Sequence, residues 1–200
     1  MKLSLLPVSF RFPLIGLAFC GLLLLNACGD TPTPKPGGYF RIDLPEREYR
    51  LLDSIFPYSF EYPVYASITK DNHAPAEANW INIDFPRFKG QVHLSYKPVN
   101  NNLNTFTEDA HSLVMKHIPK ASAIEEIRIV NNENRVFGLA YDIRGTGAAS
   151  PYQFYVTDST SHFLRGALYF SVIPNNDSLA PVIDFIKGDI QHLLETIKWK

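Results

Sequence analysis

Asp158, Ser159 and His162 bring an acid, a hydroxyl and a base within five residues, the three parts of a nucleophilic hydrolase. They are packed into one turn, however, and the chain has no G-x-S-x-G elbow to present the serine. An Asp-Ser turn between two strands accounts for them without catalysis. Metal chemistry fares no better among the six histidines, His73, His93, His111, His117, His162 and His192. His111 and His117 are six residues apart, about 240° round a helix, so they cannot share a metal face. Glu108 and His111 have co-ligating spacing but are only half of a site, and a solvated helix face explains them. His93 lies on the polar side of a strand, which is a surface position. Gly145-Thr146-Gly147 opens no helix and no phosphate-loop lysine follows it, so nucleotide binding has no support. Paired carboxylates for glycan cleavage are matched in space, so the sequence leaves them open. The expectation is no catalytic residue, no metal ligand and no cofactor.

One residue does carry a definite chemistry. Leu25-Asn26-Ala27-Cys28 ends an apolar run, Phe12 to Leu25, that follows Lys2 and Arg11. The run has 14 residues, signal-peptide length, short of the roughly 20 a spanning helix needs. Small residues before a cysteine resemble a bacterial lipoprotein signal, in which the thiol receives a diacylglycerol and the chain is cut before it. The blander readings are a plain secretory signal with an incidental Cys28 and an uncleaved anchor. Position, length and small residues agree on lipidation. One acyl chain holds a membrane weakly and several hold it firmly.

Cleavage before Cys28 leaves 173 residues, enough for one domain with a substantial core. Loss of Lys2 and Arg11 leaves 17 basic residues against 20 acidic ones, a net charge near −3. No basic excess exists for nucleic acid. Cys20 departs with the signal and Cys28 is acylated, which excludes disulfides, zinc thiolates and a cysteine nucleophile in the mature chain. Residues 1–27 thus read as signal, 28–38 as lipidated cysteine and Pro/Gly tether, and 39–200 as one globular α+β domain. The tether, with Pro32, Pro34 and Pro36 at alternate positions, favours an extended chain of roughly 3 Å per residue. No acidic pair follows Cys28 directly, which favours a domain facing the periplasm.

The elements that must position the polar residues follow from periodicity. Tyr58 to Tyr62, Ile81 to Phe85 and Val92 to Tyr96 alternate apolar and polar residues, the mark of half-buried antiparallel strands. Residues 71–79 read as a loop. A helix is expected from Asn104 or Thr105, with a Thr105–Glu108 capping box and Phe106, Ala110, Leu113, Val114 and Ile118 on one face up to Pro119. A hairpin follows, with Ile127 and Ile129 on one arm and Phe137, Leu139, Tyr141 and Ile143 on the other. Gly138 and Ala140 leave room for a helix on the opposite face. Tyr152 to Val156 and Phe163 to Ile173 form another strand pair, the second apolar on both sides, as in a central strand. In the last helix Leu179, Val182, Ile183, Ile186, Ile190, Leu193, Leu194 and Ile197 form one wide stripe. Asp177 or Ser178 is its expected cap, Pro181 falls in its first turn, Gly188 implies close packing, and Lys187 is expected on the solvent side. The expected fold class is α+β: an antiparallel β-sheet with two main helices packed on it. Its element order is similar to that of the PsbP/Mog1-like αβα sandwich.

Beyond these periodicities, Pro36-Gly37-Gly38-Tyr39-Phe40-Arg41-Ile42-Asp43-Leu44-Pro45 resembles the opening of the gliding-motility lipoprotein GldD family of Bacteroidota. The likeness continues through Tyr58 to Pro63, Trp80 to Pro86, His93 to Lys97, Gln153 to Tyr155, Thr157 to Ser159 and His162 to Phe170, and closes with Glu195 to Lys200. The resemblance implies a cell-envelope lipoprotein needed for gliding and for type IX secretion, and it brings no catalytic residues. The expected function is therefore a non-enzymatic docking or assembly component. It would be held through Cys28 at the outer membrane, facing the periplasm, with other gliding and secretion proteins as partners. An envelope enzyme or a glycan-binding lipoprotein acting on cell-wall polysaccharide is the rival. Ten tyrosines and fourteen phenylalanines would suit such a surface, although aromatics in strands are usually core. The candidate partner contact is Asp158, Ser159, His162 and Arg165, in the stretch of densest likeness.

Cys28→Ser removes the thiol that receives the lipid. The expected product is an unprocessed or mislocalised chain, whereas the unsubstituted protein carries an acylated Cys28 at its N-terminus. Mass spectrometry of the mature protein checks this; an unmodified Cys28, or an N-terminus elsewhere, would refute it.

Overall fold

Alternation of apolar and polar residues builds the strands, and two long helices cover them. The computed structural model describes residues 42–72 and 76–200; the signal, Cys28, the tether, Tyr39, Phe40 and His73 lie outside the described residues. In chain order the elements are β1 (Tyr49–Leu52), β2 (Tyr58–Pro63), β3 (Ser67–Lys70), β4 (Ile81–Phe85), β5 (Gly90–Pro98) and α1 (Leu103–Met115). After these come β6 (Ala123–Asn131), β7 (Val136–Arg144), β8 (Tyr152–Thr157), β9 (His162–Phe170), α2 (Asn176–Thr196) and β10 (Lys198–Trp199). Seven strands make one antiparallel sheet in the order β3-β4-β5-β9-β8-β7-β6, and β1-β2-β10 make a second, smaller one. The class is α+β, with two helices packed on antiparallel sheets, as the periodicity implies.

Strand parity divides the large sheet into two faces. Ile81, Ile83 and Phe85 of β4, Val92, Leu94 and Tyr96 of β5, Leu164 and Leu168 of β9 and Phe154 and Val156 of β8 form one buried cluster. It also takes in Val182, Ile186, Ile190, Leu193 and Leu194 of α2 and Tyr58, Phe60 and Tyr62 of β2. So α2 has the large sheet on one side and the small sheet on the other. Burying each such side chain contributes about 1.5–3 kcal/mol. The opposite face carries α1, where Val114 meets Tyr141 and Ile143, and Ala110 meets Phe163. Strand β9, central in the sheet, is covered on both sides as expected.

The stripe of α2 contains one residue that is not apolar. Asp189 is 2% exposed. Its carboxylate accepts hydrogen bonds from the Tyr49 hydroxyl at 3.0 Å and the Tyr65 hydroxyl at 2.7 Å, with the Arg47 guanidinium at 3.6 Å. Burial pushes its pKa up, and the two hydroxyls and Arg47 pull against that. Beside it, His192 stacks on Tyr49 with ring centres 3.7 Å apart and bonds Glu61 of β2 at 2.7 Å. These contacts tie the segment from Arg47 to Tyr65 onto α2.

Several local expectations are corrected. Helix α1 starts at Leu103 without the Thr105–Glu108 box; Asn102 precedes it and makes no side-chain cap. It also stops at Met115, and Ile118 sits in a separate 3₁₀ turn, 58% exposed. Helix α2 begins earlier than Pro181 suggests, so that proline lies inside it, and Asn175 caps it by accepting from the Ser178 amide. Its C-terminus gives way to β10, which pairs with β2. Gly138 is tight against a strand rather than a helix: a Cβ there would lie 1.9 Å from the Tyr155 carbonyl oxygen. At Gly188 the close neighbour is Arg47, whose Nη2 would be 2.3 Å from a Cβ. Lys187 is not on a free side either; it bridges to Asp142 of β7 at 2.7 Å.

Ile190→Asp would place an unpaired carboxylate among Val92, Leu193 and Tyr62 and is expected to cost on the order of 3 to 5 kcal/mol. Gln191→Ala, exposed on the next position, should stay within about 0.5 kcal/mol of the parent. Thermal melts of the purified protein check both; equal melts would refute the docking of α2.

Candidate functional site

The turn between β8 and β9 is built round Asp158. Three amides point into its carboxylate, those of Thr160 at 3.0 Å and of Ser161 and His162 at 2.8 Å each, and the Thr160 hydroxyl adds a fourth bond at 2.7 Å. Burial opposes ionisation of Asp158, but the Ser161, Thr160 and His162 donors outweigh it and hold the carboxyl well below the usual carboxylate range. Asp158 is itself 7% exposed. It shapes the turn from inside, and the outward residues are Ser159, Thr160 and Ser161. Ser159 takes φ +69° and gives its amide to the Thr157 hydroxyl at 2.9 Å, a bond that fixes the start of the turn.

His162 ends the turn and opens β9. Its Nδ1 meets the Tyr96 hydroxyl at 2.9 Å, and its ring stacks on Trp199 of β10 at 5.1 Å and 7°. The indole N–H of Trp199 donates to the Arg135 carbonyl at 3.1 Å. Thus one end of the sheet is closed by the β8–β9 turn, the β6–β7 turn and β10. Trp80 belongs to the same end, donating to the Tyr96 carbonyl at 2.8 Å while the Lys97 ammonium lies 5.5 Å from its ring centre.

Arg165 is not part of this group. It lies three residues beyond His162, and odd spacing on a strand reverses the side chain to the other face. There its guanidinium donates to Gln153 Oε1 and bonds Tyr169, while the Gln153 amide donates to His117 Nε2 at 2.9 Å. Burial disfavours the charge on Arg165 and the Tyr169 bond works against that. His117 is lowered first by burial and then by Arg165, which keeps it neutral and able to accept. On the same face Asn82 is 4% exposed, and its Oδ1 has no hydrogen-bond partner.

Chemically, the turn lacks the linkage a triad needs. Asp158 spends its oxygens on amides and Thr160, and His162 is engaged with Tyr96, so neither activates Ser159. Among the described residues no three His, Cys, Asp or Glu side chains form a metal-holding group; Glu108 and His111 stand exposed on α1. Gly145-Thr146-Gly147 is tied to α2, the Thr146 hydroxyl donating to Asp177 at 2.6 Å. No helix among the described residues is long and apolar enough to cross a membrane. Asp189 is the polar site that apolar periodicity passes over, although its spacing, three after Ile186 and four before Leu193, marks it as facing inward.

The family model described as gliding motility lipoprotein GldD matches residues 29–199. No curated protein matches the chain. Among solved structures, it is similar to the solution structure of cyanobacterial PsbP (CyanoP) from Synechocystis sp. PCC 6803. That likeness has 10% identity and a TM-score of 0.47, over 85% of this chain and 100% of that one.

Because the Asp158 carboxyl is depressed in the folded protein, its stabilisation is fully present above the ordinary carboxylate pKa. It is lost as pH falls below about 4 and on toward the folded value. Asp158→Ala should destabilise the protein by about 2–3 kcal/mol at neutral pH, and that deficit should shrink at acid pH. Urea melts of both proteins at pH 7 and at pH 3 test this; a pH-independent deficit would contradict it.

Proposed function

The chain belongs to the gliding motility lipoprotein GldD family, and from that premise we propose that it is a non-enzymatic docking component of the gliding and type IX secretion machinery. In this reading Cys28 carries the lipid, residues 28–38 are the tether, and the domain faces the periplasm from the outer membrane. The observation that carries the docking reading is the rigid exposed tip of the β8–β9 turn. Three amide bonds to a buried carboxylate fix its backbone and a fourth bond holds the Thr160 side chain, so Ser159, Thr160 and Ser161 are presented in one geometry. A preorganised surface loses little entropy on association.

The four candidate contact residues take different parts in this proposal. Asp158 preorganises the tip, Ser159 touches the partner, and His162 with Trp199 forms the aromatic flank. Arg165 serves the opposite face of the sheet.

Ser161→Trp adds bulk at an exposed position and leaves every bond of the turn in place, because Ser161 uses only its backbone there. The expected result in a strain lacking the gene is normal folding and envelope level, with docking weakened at least about tenfold, a cost of about 1.4 kcal/mol. Secretion of type IX substrates into the medium and colony spreading read the effect. Full restoration of both by the variant would overturn docking at this tip.

A further inference from the structure

The two edges of the seven-stranded sheet are unlike. Strand β3 at one edge has four residues and ends in the exposed Lys70, the short charged edge that resists pairing. Strand β6 at the other edge has nine residues, Ala-Ile-Glu-Glu-Ile-Arg-Ile-Val-Asn, with no proline, glycine or lysine. Among the described residues it pairs only with β7. It is also exposed on both faces, Ile127 at 42% and Val130 at 56%. A groove of about 610 Å³ runs along one side of it, with Ile127, Ile129, Ala140 and Leu194 in its wall. A long unpaired edge without proline or lysine is a pairing template.

The sequence of β6 also specifies its complement. We infer that β6 pairs antiparallel with β6 of a second copy of this chain, about a two-fold axis at Ile127. The axis stands perpendicular to the sheet, so each face continues across the junction and only residues of the same parity oppose one another. On the α1 face this register sets Ile124 against Val130 of the second copy and Glu126 against its Arg128, and the symmetry repeats both pairs. On the α2 face Ile127 meets Ile127 of the second copy, and Glu125 lies opposite Ile129. Glu125 is already neutralised by Arg144 of its own chain at 2.8 Å, so it brings no unpaired charge. Moving the axis one residue in either direction sets Glu126 against Glu126 or Arg128 against Arg128. Directly opposed like charges destabilise a strand pair and opposed unlike charges stabilise it. The register through Ile127 therefore fits this strand to itself.

The test uses the full lipidated protein, in native envelopes and after extraction in detergent. With Ile127→Cys, mild oxidation in envelopes should give a disulfide-linked dimer of this chain. Ile55→Cys, 97% exposed in the β1–β2 loop, and the parent carrying only its native cysteines should not. By sedimentation in detergent, Glu126→Arg and Arg128→Glu should each weaken self-association at least about tenfold, because each turns two attractive cross-strand pairs repulsive. The double variant Glu126→Arg with Arg128→Glu should restore it. Restoration is the outcome that a merely misfolded single variant cannot give. A monomer throughout, a crosslink of the Ile127→Cys variant to a different protein, or a double variant no better than the singles would each overturn the inference.

Discussion

The fold depends on covering α2 from two sides. A helix whose stripe runs from Val182 to Leu194 with Phe185 and Asp189 inside it is wider than one sheet can bury. The seven-stranded sheet takes one flank, and Tyr58, Phe60 and Tyr62 of the small sheet take the other. Asp189 makes the second cover obligatory, since a buried carboxylate without donors costs several kcal/mol. Tyr49 and Tyr65 supply those donors and come from the segment that forms and follows the small sheet. The buried acid thus fixes where a short, weakly patterned piece of chain must lie, and hydrophobic area alone would not specify that so closely.

That dependence explains what was legible in the sequence. Strands β2, β4, β5 and β7 alternate, each with a face in a core, and β9 reads as a run apolar on both sides because both of its faces are covered. Strands β1, β3 and β10 are short and lie at sheet edges, β1 as Tyr49-Arg50-Leu51-Leu52 with both middle residues exposed. Such strands form because a partner strand offers its hydrogen bonds, and nothing in their own pattern announces them. The helix ends depart from expectation for a related reason. Pro181 costs α2 one amide bond, yet the helix extends five residues further back because Asn175 caps it and the Thr146–Asp177 bond holds its first turn. Thr105 and Glu108 have the spacing of a capping box, but Thr105 is already the third residue of α1, and both face solvent.

At the candidate site the Asp-Ser turn was legible and the strand parity around it was not. Asp158 reads correctly as the acceptor of a turn, the bland alternative to a catalytic acid. Grouping it with Arg165 overlooks strand parity, which sends His162 and Arg165 to opposite faces. Each of the titratable residues there is occupied: Asp158 by amides, His162 by Tyr96 and Trp199, Arg165 by Gln153 and Tyr169. Groups held in this way set shape. Asp158 holds the backbone of the turn, and His162 joins Tyr96 to Trp199 at the end of the sheet.

A two-fold pair through β6 would bear directly on how such a rigid tip is used. The β8–β9 turn and the β6–β7 turn lie at the same end of the sheet, since Thr157 of β8 stands opposite Phe137 of β7. Antiparallel pairing reverses the second copy, so its Asn131 comes to the Ala123 end of the first. The two β8–β9 turns are then carried to opposite ends of one continuous sheet. A protein joined in this way would offer the proposed contact surface twice, facing in opposite directions, with the spacing set by strand geometry rather than by a flexible linker. Two partners could be held at a fixed separation with no hinge between them. Rigidity at the tip and rigidity at the junction would then serve one purpose, because a flexible joint at either place would surrender the alignment the other provides.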